Sequence, residues 1–331
     1  MREQEQEILQ QYDIDLKTTR KVRDGFLCET EQGLFLLKEL KISEKRLPVL
    51  RRLGQHLQEQ GYENVDLLQE NREGELCSVA EDGTKYILKK WFDGKECEVR
   101  REMDLRRALE NLGQLHLAMR EPLVLEEGTI YPSPDQEQEF ARHNRELKKV
   151  RSFIREKVDK GSFEQGYLKH FDTMYAWAEC ALERLRKSNY QTIRKESLDR
   201  GVLVHGDYNY HNVLMLERGM ATTNFEHVAS HLQVADFYYF FRKAMEKSHW
   251  DVSLGNRLLE QYQKKIPLSQ DELDYISICI AYPEKFWKAA NSYYRSRKVW
   301  IPAKNLEKLE LVIKQTDEKR RFLEILFAFY M

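Results

Sequence analysis

The stretch Val202-Leu203-Val204-His205-Gly206-Asp207-Tyr208-Asn209-Tyr210-His211-Asn212-Val213-Leu214-Met215 decides how this chain is read. An apolar run enters a polar loop, and a second apolar run leaves it. Inside the loop His205, Asp207 and Asn212 stand in the order His-x-Asp-x-x-x-x-Asn. That spacing suits phosphoryl transfer, in which the aspartate accepts a hydroxyl proton and the asparagine holds a magnesium ion. A loop between two short buried strands would fix both side chains on one rim. His205 and Asp207 are therefore the candidate catalytic residues, and Asn212 a candidate metal ligand. The same residues also make a plain turn, because Gly, Asp and Asn tolerate and cap tight backbone. The flanking runs Leu203-Val204 and Val213-Leu214-Met215 supply the strand context that favours the first reading.

Immediately downstream, Leu214-Met215-Leu216 and Met220-Ala221-Thr222-Thr223 pair around Glu217-Arg218-Gly219 as a hairpin. Its return strand delivers Asn224-Phe225-Glu226, where a phosphoryl-transfer site needs an aspartate for the magnesium that bridges the phosphates. Asn224 lacks that charge, and with it an attraction worth several kcal/mol. Glu226 reaches the same face only if the strand stays regular. Asp236, ahead of Phe237, Phe240, Phe241, Ala244 and Met245, is expected to cap an amphipathic helix and support the site.

Upstream, Phe26-Leu27-Cys28 and Leu34-Phe35-Leu36-Leu37-Lys38 flank a turn, and Lys38 closes an apolar run where a phosphate-binding strand lysine belongs. A solvent-reaching lysine at a strand end gives the same pattern. The helix that follows, with Ser43 as cap and Leu47, Leu50, Leu53 and Leu57 as its apolar face, carries no central glutamate to clamp Lys38. Strand signals resume at Val65–Leu68, Leu76–Val79 and Tyr86–Leu88, which makes five antiparallel strands with one helix. Trp91-Phe92-Asp93-Gly94 breaks that pattern, and everything from there to the central loop reads as helix. Apolar faces run through Leu105, Leu109, Leu112, Leu115 and Met119, then Phe140, Leu147, Val150, Ile154 and Val158, then Leu168, Phe171, Met174, Cys180 and Leu185. Phe286, Trp287, Ala290, Tyr293, Tyr294 and Trp300 read as core near the C-terminus. The expectation is an α+β, two-lobed fold: a small lobe over residues 1–92 and a mostly helical lobe over 93–331 that carries the loop.

The composition narrows the function. Glycine (15) and proline (7) are scarce in 331 residues, against roughly 12% of a typical globular chain, so helix should dominate. With 54 basic and 55 acidic residues the net charge is -1, which gives no general pull toward nucleic acid or anionic lipid. Five scattered cysteines form no Cys-x-x-Cys pair, so a disulfide framework or zinc site is not indicated. The polar start Met1-Arg2-Glu3-Gln4-Glu5 does not read as a signal peptide, and no apolar run approaches the length of a membrane span. A cytoplasmic site of synthesis is expected.

The central loop, Asn224-Phe225-Glu226 and Asp236 together resemble the aminoglycoside phosphotransferase and choline kinase superfamily. Trp91-Phe92-Asp93-Gly94-Lys95-Glu96-Cys97 and Leu112-Gly113-Gln114-Leu115-His116 look like the CotS family of bacterial spore coat proteins, as do Tyr282-Pro283-Glu284-Lys285-Phe286-Trp287 and Tyr293-Tyr294. The resemblance runs over nearly the whole chain. It implies a kinase-like fold and a protein made in the mother cell and laid on the spore surface with other coat proteins as partners. By position it implies Asp207 as proton acceptor, Asn212 and Asn224 as metal ligands, and Lys38 with the hinge residues Trp91 and Phe92 on the nucleotide side.

Three expected parts are altered: Asn224 replaces the aspartate, the helix glutamate is not evident, and Thr18–Gly25 is poor in glycine where a phosphate loop would lie. The expectation is a coat protein with weak ATP and magnesium binding and degenerate catalysis. The alternative is a working magnesium- and ATP-dependent kinase of a small hydroxylated or amino substrate.

Overall fold

A computed structural model describes residues 3–126, 128–295 and 303–331; Trp300 lies outside them. The chain begins with α1 (Glu3–Gln10), β1 (Leu16–Val22), β2 (Gly25–Thr30) and β3 (Gly33–Glu39), then α2 (Leu47–Glu59), β4 (Ser78–Val79), β5 (Lys85–Lys90), β6 (Gly94–Glu96) and α3 (Glu102–Ala118). Helices α4 (Gln136–Glu156), α5 (Ser162–Lys187) and α6 (Tyr190–Asp199) follow. The central loop lies between β7 (Leu203–Val204) and β8 (Val213–Leu216), before β9 (Met220–Thr222) and β10 (Ala229–Ser230). The remaining described elements are the helices α7 (Val234–Lys247), α8 (Val252–Gln263), α9 (Gln270–Ala281), α10 (Glu284–Arg295), α11 (Ala303–Lys314) and α12 (Thr316–Phe327). Two compact units result, Met1–Pro132 with Leu198–Phe240, and Ser133–Ser197 with Phe241–Met331.

In the first unit an antiparallel sheet runs β1-β2-β3-β5-β4. Its register fixes what each face carries. Lys38 opposes Ile87, and Leu36 opposes Lys89; directly opposed and alternate residues share a face. Lys38 and Lys89 therefore project from the same side. On the other side Cys28, Phe35, Leu37, Tyr86 and Leu88 pack with Ile8, Leu9 and Tyr12 of α1 into a core. The lysine face also buries Leu27, Leu36 and Ile87, so Lys38 and Lys89 stand among apolar neighbours.

Five strands form, but not the five read from the sequence. β1 was unforeseen because all seven of its residues are exposed or only partly buried, so no apolar alternation marks it. It is an edge strand guarded by Lys17, Arg20 and Lys21, and Arg23-Asp24 is the turn that joins it to β2. Val65–Leu68 is extended but makes only isolated bridges, Val65 with Thr222 and Leu68 with Lys89. The outer edge of β5 is shared between this segment and β4, and neither covers it fully. Residues 94–96, expected to begin a helical stretch, form β6 and pair with β8. Ser43 makes no side-chain cap; a 3-10 turn over Glu44–Arg46 precedes α2.

The helical faces are as expected in α3, where Leu105, Leu109, Leu112, Leu115 and the adjoining Met119 are all buried. In the second unit Phe140, Leu147, Val150 and Ile154 of α4 are buried, while Val158 falls past its end and is 95% exposed. Phe286, Ala290 and Tyr293 are buried in α10. No described helix is long and apolar enough to cross a membrane. Leu112→Ala should lower the unfolding free energy by about 2–5 kcal/mol, whereas Val158→Ala should stay within about 0.5 kcal/mol of the native chain, both read by denaturant titration.

Candidate functional site

The central loop is pinned before any ligand is considered. Asp236 lies in the first turn of α7, not at its cap. Its carboxylate accepts the backbone N–H of His205 at 2.6 Å and of Gly206 at 2.9 Å. His116 of α3 donates its Nε2 proton to the same carboxylate at 3.3 Å, since an ionised carboxylate can only accept. Gly206 has φ +79°, and a Cβ there would meet the carbonyl oxygen of His227 at 2.1 Å, so only glycine fits. His205 is buried, with Nδ1 accepting the Asp207 N–H (3.2 Å) and Nε2 donating to the Thr223 carbonyl (3.0 Å). Tyr208 reaches down to the Ala108 carbonyl of α3 at 2.7 Å. Helices α7 and α3 and the segment after β9 thus set the direction of one side chain, Asp207.

From Asp207 a continuous chain of side-chain contacts runs to the sheet. Asn212 Nδ2 donates to Asp207 Oδ2 at 3.0 Å, and Asn209 Nδ2 donates to Asp207 Oδ1 at 3.0 Å. Asn224 Nδ2 donates to Asn212 Oδ1 at 2.9 Å. Lys38 Nζ donates to Asn224 Oδ1 at 2.9 Å and to Glu226 Oε1 at 2.8 Å. Lys89 Nζ donates to the same Glu226 oxygen at 2.8 Å and to Asp66 Oδ2 at 2.9 Å. Asp66 Oδ2 also accepts the Asn224 N–H at 2.8 Å. Asp207, Asn212, Asn224 and Lys38, far apart in sequence, are brought together. Trp91 and Phe92 lie just beyond β5, half-buried, where Trp91 donates its N–H to the Leu34 carbonyl at 2.8 Å.

The strand that was to carry Asn224 and Glu226 does not stay regular. Asn224 takes a left-handed conformation, φ 66°, and residues 225–227 form a 3-10 turn. Asparagine tolerates that conformation better than most residues. The turn, not strand alternation, swings Glu226 toward the two lysines.

The model of the family described as "Spore coat putative kinase YutH" matches residues 5–326. The chain belongs to that family. Spore coat protein S of Bacillus subtilis (strain 168) is 25% identical over 319 residues, which span 96% of this chain and 90% of that protein. An aminoglycoside phosphotransferase from Alicyclobacillus acidocaldarius superposes with a TM-score of 0.84 at 17% identity, covering 98% of this chain and 95% of that one. Spectinomycin phosphotransferase, in complex with ADP and spectinomycin, superposes with a TM-score of 0.61 at 13% identity over 98% of this chain and 96% of that one. The fold of this spore coat family member is therefore that of the aminoglycoside phosphotransferases.

The face of the sheet that carries Lys38 has room for a small ligand, while the amide pair is a poor metal site. A cavity of about 430 Å³, lined by Thr18, Arg20, Leu27, Glu29, Leu34 and Asp93, opens on the face of the sheet that carries Lys38. That is a common size for a small-ligand pocket. A second cavity of about 540 Å³ lies against Leu47, Pro48, Arg51 and Cys77, and no member of the Asp207–Lys89 chain lines either cavity. Magnesium asks for oxygen ligands with one or two carboxylates among them. Here the two ligand positions are neutral amides, one bonded to the other and the second already taken by an ammonium group. Among the described residues no three His, Cys, Asp or Glu side chains are grouped to hold a metal. This donor set does not fit magnesium.

The sequence reading missed Lys89 and Asp66. Lys89 is only 2% exposed, a rare place for a lysine. Burial opposes its charge, but Asp66 and Glu226 outweigh that and raise its pKa. Burial also pushes the Glu226 carboxyl up, and the ammonium groups of Lys89 and Lys38 reverse this, holding it well below the usual carboxylate range. A depressed carboxyl stabilises the fold fully above its unfolded value, about 4.3, and that contribution fades as pH falls below it. Glu226→Gln should cost up to about 3–5 kcal/mol at neutral pH. The gap from the native chain should narrow as pH falls below about 4.3, read by urea unfolding at a series of pH values.

Proposed function

We propose that this protein is a spore coat component that keeps a nucleotide site on its kinase-like scaffold and has lost efficient phosphotransfer. The observation that carries this reading is the Asn212–Asn224 amide pair with Lys38 bonded to its far end. Asp207 remains held as a proton acceptor would be, with both carboxylate oxygens oriented by amides and one face partly open. In this reading Asp207 is the substrate-side residue, and His205, bonded to its N–H, supports it. What is missing is charge at the phosphate side, where a kinase stabilises the transferring group electrostatically.

Nucleotide binding is supported by the cavity on the sheet face that carries Lys38 and by the ADP-bound structure of a fold relative. Trp91 and Phe92, at the exit of β5, are assigned to its edge. Family membership supports assembly with other coat proteins at the spore surface after synthesis in the mother cell. In this reading the fold supplies a docking body, and any nucleotide acts as a ligand that steadies it.

Purified native protein should show little or no ATP turnover with common hydroxylated or amino acceptors, measured by phosphate-transfer assay. Asn224→Asp should make nucleotide affinity magnesium-dependent, because it adds a carboxylate at the metal position and the left-handed backbone accepts aspartate. Asp207→Asn should leave coat incorporation unchanged, scored by microscopy of a tagged chain in sporulating cells. Robust turnover by the native chain, abolished by Asp207→Asn, would contradict the proposal and establish the kinase reading.

A further inference from the structure

The nucleotide lysine of a kinase needs a counter-ion, because an ammonium group on a four-carbon stem does not hold one direction unaided. A glutamate on the helix after that strand usually supplies it. In this chain α2 offers none. Glu44, ahead of the helix, pairs with Lys85, and Glu59, at its end, pairs with Arg52. Residues 51–55 at the middle of α2 read Arg-Arg-Leu-Gly-Gln.

We infer that Glu226 is the positioning residue for Lys38, replacing the helix glutamate from the turn after β9. This rests on the reading that the site takes a nucleotide. The geometry has three parts. Lys38 Nζ lies 2.8 Å from Glu226 Oε1 in an ion pair. Glu226 is itself anchored, because the same oxygen is 2.8 Å from Lys89 Nζ, whose side chain is 2% exposed. Lys89 in turn is fixed by Asp66 at 2.9 Å. Glu226 cannot swing away without leaving a buried ammonium group short of one of its two carboxylates.

Lys38 is different from Lys89. Its side chain remains 15% exposed, and an ammonium group has three donors. Two are spent on Asn224 Oδ1 and Glu226 Oε1. The third is left for a phosphate oxygen. Asp66, Lys89, Glu226 and Lys38 also balance in formal charge, so the cluster needs no metal ion to exist in this arrangement. Asn224 contributes to that balance, since an aspartate there would add a negative charge against Glu226. The loss of the metal carboxylate and the relocation of the lysine's counter-ion are two sides of one design.

The test is ADP binding to the full chain, by calorimetry, for the native protein, Lys38→Met, Glu226→Gln and the double variant, with circular dichroism of each. Glu226→Gln should weaken ADP about tenfold or more. The double variant should bind no more weakly than Lys38→Met alone, the coupling expected when one residue acts through the other. A purely structural Glu226 would give additive losses and overturn the inference. A contact that blocks the site would be revealed by tighter binding in Glu226→Gln, which also overturns it. Absence of ADP binding to the native chain would overturn it too, while leaving the loss of phosphotransfer standing. Should Glu226→Gln fail to fold, a crystal structure of the native chain with ADP decides. Lys38 must then lie within hydrogen-bond distance of Glu226 and of a phosphate oxygen together; a broken Lys38–Glu226 pair refutes the inference.

Discussion

One carboxylate oxygen, Glu226 Oε1, accepts two ammonium groups at 2.8 Å each, and the first unit is arranged around that contact. It ties the paired strands β3 and β5 to the turn after β9, which no hydrogen-bond ladder connects to either of them. Taking Lys89 out of water is costly, and a buried pair is repaid only when geometry is good and both partners are satisfied. Here both conditions hold, since Asp66 closes the cluster from below and accepts the Asn224 N–H as well. An irregular, left-handed turn at Asn224 is the backbone consequence.

The site consequence follows from the same contact. In a working kinase the corresponding positions gather negative charge to hold a metal ion, which then holds the phosphates. In this spore coat family member the negative charge has moved to Glu226 and is consumed internally by two lysines. Asn212 and Asn224 complete each other's hydrogen bonds. A site built this way satisfies its own charges and amides without a ligand. In the central loop and the helices beneath it Asp236, His116, His205 and Tyr208 are buried and hydrogen-bonded, so their loss would cost stability whatever the chemistry.

Much of this was legible in the sequence. His205, Asp207 and Asn212 sit in a short motif with apolar runs on each side, and a local motif survives without knowledge of the rest. The hairpin after it and the buried face of α3 follow from alternation and helical spacing. The departure at Asn224 was readable for the same reason, as a single residue at a defined place. Lys89 was not readable: Lys89 and Lys90 are adjacent at the end of a strand, and only pairing of Leu36 with Lys89 shows which one faces the site. Asp66 sits in an extended segment with no period of its own. β1 hides because exposed edge strands carry no apolar pattern. Asp236 looked like a helix cap, since sequence shows the helix near it but not the loop backbone that it binds.

The central claim is that the phosphate side of this site has no place for a divalent cation. Manganese titration of the native chain with saturating ADP, followed by electron paramagnetic resonance, tests it most directly, because manganese favours the same oxygen ligands as magnesium. The account predicts that the protein adds no bound manganese beyond what ADP holds in free solution. One tightly held manganese ion per chain, lost in Asn212→Ala or Asn224→Ala, would contradict it.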